Sequence, residues 1–190
     1  MARSDEDKSY MLRSVIPSRL GALDALDAAI RIIERKDPDD AGEFAMFLSG
    51  AVVAKGSAYG ILNPWREVGL VHARALLEFL GLWESGGRLV ERTGRQWKTD
   101  WRITDFGLPA VKPAQAIGAY QGAPKEAEKA LVCVMIYANR AVAHMTDPLE
   151  ANVYSTNEVR IACQGIRALV EGFLYRPLNL VPPERVVFPA

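Results

Sequence analysis

Two long stretches of this chain are almost free of charge, and each carries a few isolated polar side chains. In residues 68–83 the charged side chains are Arg74 and Glu78, with His72 beside them. In residues 130–145 the strongly polar side chains are Asn139, Arg140 and His144. The chain has two histidines, and both fall in these stretches. Segments this apolar must be buried, and a charge is costly to bury unless it is paired or used. The pattern therefore predicts a helical core with a polar cluster inside it.

The remaining periodicity reads as helix throughout. Ile16, Leu20, Leu23, Leu26, Ile30 and Ile33 recur every three or four residues, the spacing of an amphipathic helix. Pro17 starts or kinks that helix. Asp40 with Glu43 forms a capping-box pattern, so a second helix is expected from about 41 to 60. Asn63-Pro64 looks like the start of a third, which Gly86-Gly87 would stop. A fourth is expected over 124–145, with residues 130–138 apolar all round and hence central. Ser155 with Glu158 caps a fifth, which continues through Val159, Ala162, Ile166, Leu169 and Phe173. Leu76, Leu77, Leu80, Val132, Met135 and Ile136 are expected in the core. The expected fold class is all-α: a compact bundle of about five helices in a single domain, residues 1–190. Residues 86–123 form a basic, tryptophan-containing irregular insertion, with at most a small hairpin in 86–103. The proline-bearing tail beyond Arg176 is expected to run extended over the surface.

The isolated polar groups are the candidate site. Arg74 and Glu78 are spaced i, i+4, as are Arg140 and His144, so each pair shares one helix face. His72 points roughly 160° away from Arg74. If the third and fourth helices pack together, Arg74, Glu78, Arg140 and His144 converge with a surplus of positive charge. That favours an anionic ligand such as a phosphate, with the arginine forks as donors and His144 as acid or base. Asn139 and His72 join as ligand-binding candidates. A structural reading stands beside this one: Arg74–Glu78 as an intrahelical salt bridge, and His144 as an imidazolium at a helix end. In the insertion, Arg92, Arg95, Trp97 and Trp101 are candidate nucleic-acid contacts, because basic groups interleaved with aromatics can hold phosphates and stack bases. The alternative there is a solvated loop whose tryptophans anchor it to the core.

Other chemistries lack their motifs. There is no Glu-x-x-His, no Gly-x-Ser-x-Gly, no P-loop and no Gly-x-Gly-x-x-Gly, and neither a metal nor a cofactor is expected. The chain has 23 basic and 23 acidic side chains, so no global field draws it to nucleic acid or membrane. Residues 44–62 approach the length of a membrane span, but Ser49, Lys55 and Ser57 interrupt them, and no membrane association is expected. Cys133 and Cys163 read as buried free thiols in a reducing compartment. With a polar N-terminus lacking an apolar signal region, the expected location is the cytoplasm.

The pattern His72-Ala-Arg74-Ala-Leu-Leu-Glu78-Phe on one helix, with Asn139-Arg140-Ala-Val-Ala-His144 on another, resembles the HEPN-like helical proteins. Three residues separate Arg140 from His144, where that family has four to six, and Asn139 precedes the arginine. The resemblance implies a helical bundle, a homodimer, and RNA or nucleotide binding or cleavage. His144 and Arg140 would be the catalytic pair, with Arg74 stabilising the phosphate and Glu78 orienting an arginine. The alternatives are a non-catalytic interaction module, such as a dimeric adaptor or antitoxin-like partner, and a small-molecule binder with the insertion as its lid.

Overall fold

A computed structural model describes residues 3–35, 42–93, 99–120, 122–139 and 155–187. Its first element is one continuous helix. Helix α1 (Asp5–Tyr10), capped by the Ser4 hydroxyl on the Asp7 N–H, passes through a π-helical turn (Met11–Val15) into α2 (Ile16–Arg35). The π turn has a local cause and a distant one. Pro17 has no N–H to give to a carbonyl of the preceding turn. The Leu12 carbonyl instead accepts from the Tyr175 hydroxyl at 2.9 Å, from the far end of the chain.

Strands β1 (Glu43–Leu48) and β2 (Ala51–Ser57) come next as an antiparallel hairpin, where a helix over 41–60 was expected. Ser49 (φ 51°) and Gly50 (φ 82°) both adopt left-handed conformations, the requirement of a tight two-residue hairpin loop. Phe44, Phe47, Val52 and Val53 are strand formers whose preference prevails over the capping pattern. Helix α3 (Tyr59–Leu80) starts before Asn63-Pro64 and carries Pro64 inside it. It ends at Gly81 (φ 96°), not at Gly86-Gly87. Those two glycines form the left-handed loop of a second hairpin, β3 (Leu82–Ser85) and β4 (Arg88–Glu91). The all-α expectation is thus corrected: the fold is mainly helical with two small antiparallel sheets.

Residues expected to be irregular also hold a short 3-10 turn (Ile103–Phe106) and helix α4 (Pro113–Gly118). Helix α5 (Pro124–Tyr137) starts where the sequence placed it. Helix α6 (Thr156–Val170) has the expected cap, with the Ser155 N–H donating to Glu158 at 2.8 Å, and runs into a second π turn (Glu171–Tyr175). Beyond it, residues 181–187 form neither helix nor strand.

Helix α2 packs on α3 and α6, and α5 packs on α6 and α3. Leu20, Leu23, Leu26, Leu76, Leu77, Leu80, Val132, Met135, Ile166 and Leu169 fill the space between them; Ile136 is half-buried. Gly69 lets α2 and α3 approach closely: a Cβ there would collide with Leu26 and lie 2.9 Å from the Ala22 carbonyl. Among the described residues no helix is long and apolar enough to cross a membrane. Cys133 and Cys163 are buried and unpaired; burial pushes the Cys133 thiol up to about 12 and Cys163 higher still.

Candidate functional site

The polar residues of α3 divide between two neighbouring places. On one side, Arg74 Nε donates to Glu78 Oε1 at 2.6 Å, the i, i+4 pair expected from the spacing. The other Glu78 oxygen lies 2.8 Å from Arg92 Nη2, which is also 3.8 Å from Asp100 Oδ2. Arg92 reaches this spot because its N–H donates to the Gly81 carbonyl at 2.8 Å, where the left-handed glycine turns the chain into β3. Both guanidinium groups lie over the Trp83 ring, 5.2 and 5.8 Å from its centre. Glu78 is therefore held between two arginines above an aromatic face.

His72 faces elsewhere, as the helical angle required. Its partner is Arg19 of α2, whose Nη1 lies 3.2 Å from His72 Nδ1. A guanidinium has no lone pair to offer, so Nδ1 accepts and the neutral ring carries its proton on Nε2. Burial, and then repulsion by Arg19, lower the His72 pKa from its ordinary value of 6.5, which keeps the ring neutral at neutral pH. Among the described residues no carboxylate pairs with Arg19. Burial lowers its pKa as well, but a guanidinium remains charged.

Two depressions meet at Arg19 and Val15. The smaller, about 310 Å³, is lined by Tyr10, Ser14, Ser18 and His72 besides these two, and contains no acid. The larger, about 330 Å³, has apolar walls that include Met11, Ile16, Phe79 and Trp101, with Glu78, Arg92, Thr99 and Asp100 as its polar groups. The π turn contributes to both. Such turns occur often at functional sites because they redirect side chains that a regular helix would place elsewhere.

The expected site residues are only partly brought together. Arg74, Glu78 and Arg92 form one cluster; His72 joins Arg19 instead. Trp101 is packed at the core edge, with Arg3 4.5 Å from its ring centre and Phe106 5.6 Å away. Asn139 is half-buried just beyond α5. Arg140, His144, Arg95 and Trp97 lie outside the described residues. The sequence reading missed Arg19, Tyr10, Ser14 and Ser18. Their signal was present: Ser14 and Ser18 stand i, i+4 on a helix, with Arg19 adjoining. Among the described residues no group of three or more His, Cys, Asp or Glu side chains is gathered as a metal site would need. Compared with protein-family models, with curated proteins and with solved structures, the chain matches none of them.

Proposed function

We propose that this protein binds a small phosphate-bearing ligand of the nucleotide class, a mononucleotide or an RNA end, across the two depressions that meet at Arg19. The observation that carries this reading is Arg19 itself: a guanidinium without a carboxylate partner among the described residues, beside an acid-free hollow rimmed by three hydroxyls. Arg19 would give a phosphate charge-assisted hydrogen bonds, with Ser14, Ser18, Tyr10 and the Nε2–H of His72 as neutral donors. The adjoining cleft suits the other end of such a ligand. Its apolar walls match a base, and Asp100 and Thr99 offer acceptors to ribose hydroxyls or exocyclic amines.

The reading concerns binding. Cleavage would rest on Arg140 and His144, whose placement is outside the described residues. Calorimetric titration with AMP, ATP, a short RNA and inorganic phosphate tests it. Arg19→Gln should weaken nucleotide binding at least tenfold, and Ser14→Ala/Ser18→Ala should weaken it less. Arg13→Gln, on an exposed side chain outside both depressions, should leave it unchanged. Wild-type protein that takes up none of these ligands, or an affinity indifferent to Arg19, refutes the assignment.

A further inference from the structure

The β1–β2 hairpin is built unlike the rest of the molecule. Neither strand has a buried residue, yet Met46, Phe47, Leu48, Val52 and Val53 are between 46% and 68% exposed. The arm bears two charged side chains, Glu43 and Lys55, both toward its base; residues 46–54 have none. A two-stranded hairpin, apolar on both faces, is marginal by itself in water.

Its register carries a second asymmetry. On one face Met46 pairs with Ala54 and Leu48 with Ala51, so every large residue of β1 stands beside a small one of β2. A two-fold axis between two such arms lays Met46 and Leu48 of one copy over Ala54 and Ala51 of the other. The surface is its own complement, as a symmetric dimer requires. The other face carries Phe47, against which the irregular register sets Val52 and Val53 as a bulge.

Area decides how much more must be covered. A large side chain presents about 150–250 Å² in full, and these are about half exposed, so each offers roughly 100 Å². The Met46–Leu48 face with its alanines would bury about 600 Å² over both copies, no more than an adventitious contact. A second apolar stripe is available on α3, where Val68 and Val71 are exposed in line with Pro64 and Ala75. Covering it with Phe47, Val52 and Val53 raises the total to about 1,400 Å², within the range of specific dimers. The reach suffices: the arm extends about 20 Å, and Val68 lies roughly 14 Å along α3 from its start.

We infer that two copies of this chain associate by exchanging their β1–β2 arms, each arm packing one face on the partner's arm and the other on the partner's α3. Sedimentation equilibrium of the full chain tests this. Wild type should sediment at twice the chain mass at high micromolar concentration. Met46→Glu/Leu48→Glu and Val68→Glu/Val71→Glu should each halve that mass, with far-UV circular dichroism unchanged because these side chains are exposed. Val181→Glu, in the tail and more exposed still, should remain dimeric. Mixing Met46→Cys chains with Ala54→Cys chains and adding a short bis-maleimide should yield a covalent dimer, because facing sheets lie about 10 Å apart, beyond the reach of a disulfide; the native thiols are buried and do not compete. A monomeric wild type, a dimer that survives both glutamate pairs, or a monomer that instead sediments with phospholipid vesicles overturns the proposal.

Discussion

Replacing Asp24 by alanine should be among the most damaging single changes to this fold, although Asp24 lies in neither depression. Its partner Arg167 is 2% exposed, and Arg167 Nη2 donates to Asp24 Oδ2 at 2.6 Å. The same oxygen accepts the Val186 N–H at 2.9 Å, tying the C-terminal tail to α2. Without the carboxylate, Arg167 keeps the Pro183 carbonyl at 3.3 Å and Glu171 at 3.4 Å, and its Nε has no partner among the described residues. Two charge-assisted hydrogen bonds at about 1.5–3 kcal/mol each, with a guanidinium left buried, put the loss at about 3–5 kcal/mol. Urea unfolding with linear extrapolation measures it. The double change Asp24→Leu/Arg167→Met removes both charges while keeping bulk, and should cost about 1 kcal/mol or less. Amide exchange of residues 184–187 should accelerate in both variants, because both release Val186. An Asp24→Ala loss under about 1 kcal/mol would refute the reasoning. So would a double variant as unstable as the sum of the two single changes, since coupled partners are not additive.

Three further outcomes are expected. Gly69→Ala should destabilise by about 1–3 kcal/mol, because its methyl collides with Leu26 at the α2–α3 contact; thermal unfolding reads the loss. Tyr175→Phe should cost about 1–3 kcal/mol in urea unfolding, since it leaves the Leu12 carbonyl beside Pro17 without its donor. The depressed His72 pKa makes stability fall as pH drops through 6.5, where the unfolded chain takes up a proton that the folded ring resists; below the folded pKa the loss is complete. Melting temperatures of wild type and His72→Gln between about pH 7.5 and 5 should show a shallower decline in the variant.

The parts of this fold governed by local spacing were legible in the sequence. Helix α2, the start of α5, the cap of α6 and the Arg74–Glu78 pair each arise from residues within a turn or two of one another. Both hairpins are obscured in the sequence by their glycines. Gly50 sits within an apolar run, and Gly86-Gly87 has the look of a helix stop. A left-handed pair serves equally as a helix exit or a strand reversal, and the neighbouring chain decides between them. Here Gly81 has already ended α3, so Gly86-Gly87 is left to reverse the chain.

The candidate site was less legible because its pairings join separate elements of the chain. Arg92, just beyond β4, meets Glu78 of α3, and Arg19 of α2 meets His72 of α3. No spacing rule links such residues; the packing of α2 on α3 and the β3–β4 turn do. Pro17 shows how local and distant causes combine. A proline in the second position of α2 denies a carbonyl its donor, which a regular helix would leave exposed to water or unsatisfied. The chain answers with a π turn and a tyrosine from its last helical turn. That turn supplies Met11, Ser14 and Val15 to the two depressions and precedes Arg19 by one helical turn. The feature that locks the N-terminal helix to the C-terminus is thus continuous with the wall of the proposed site. Tyr175→Phe should therefore loosen nucleotide binding as well as the fold, whereas Asp24→Ala, on the tail side of α2, should lower stability while the folded protein keeps its affinity.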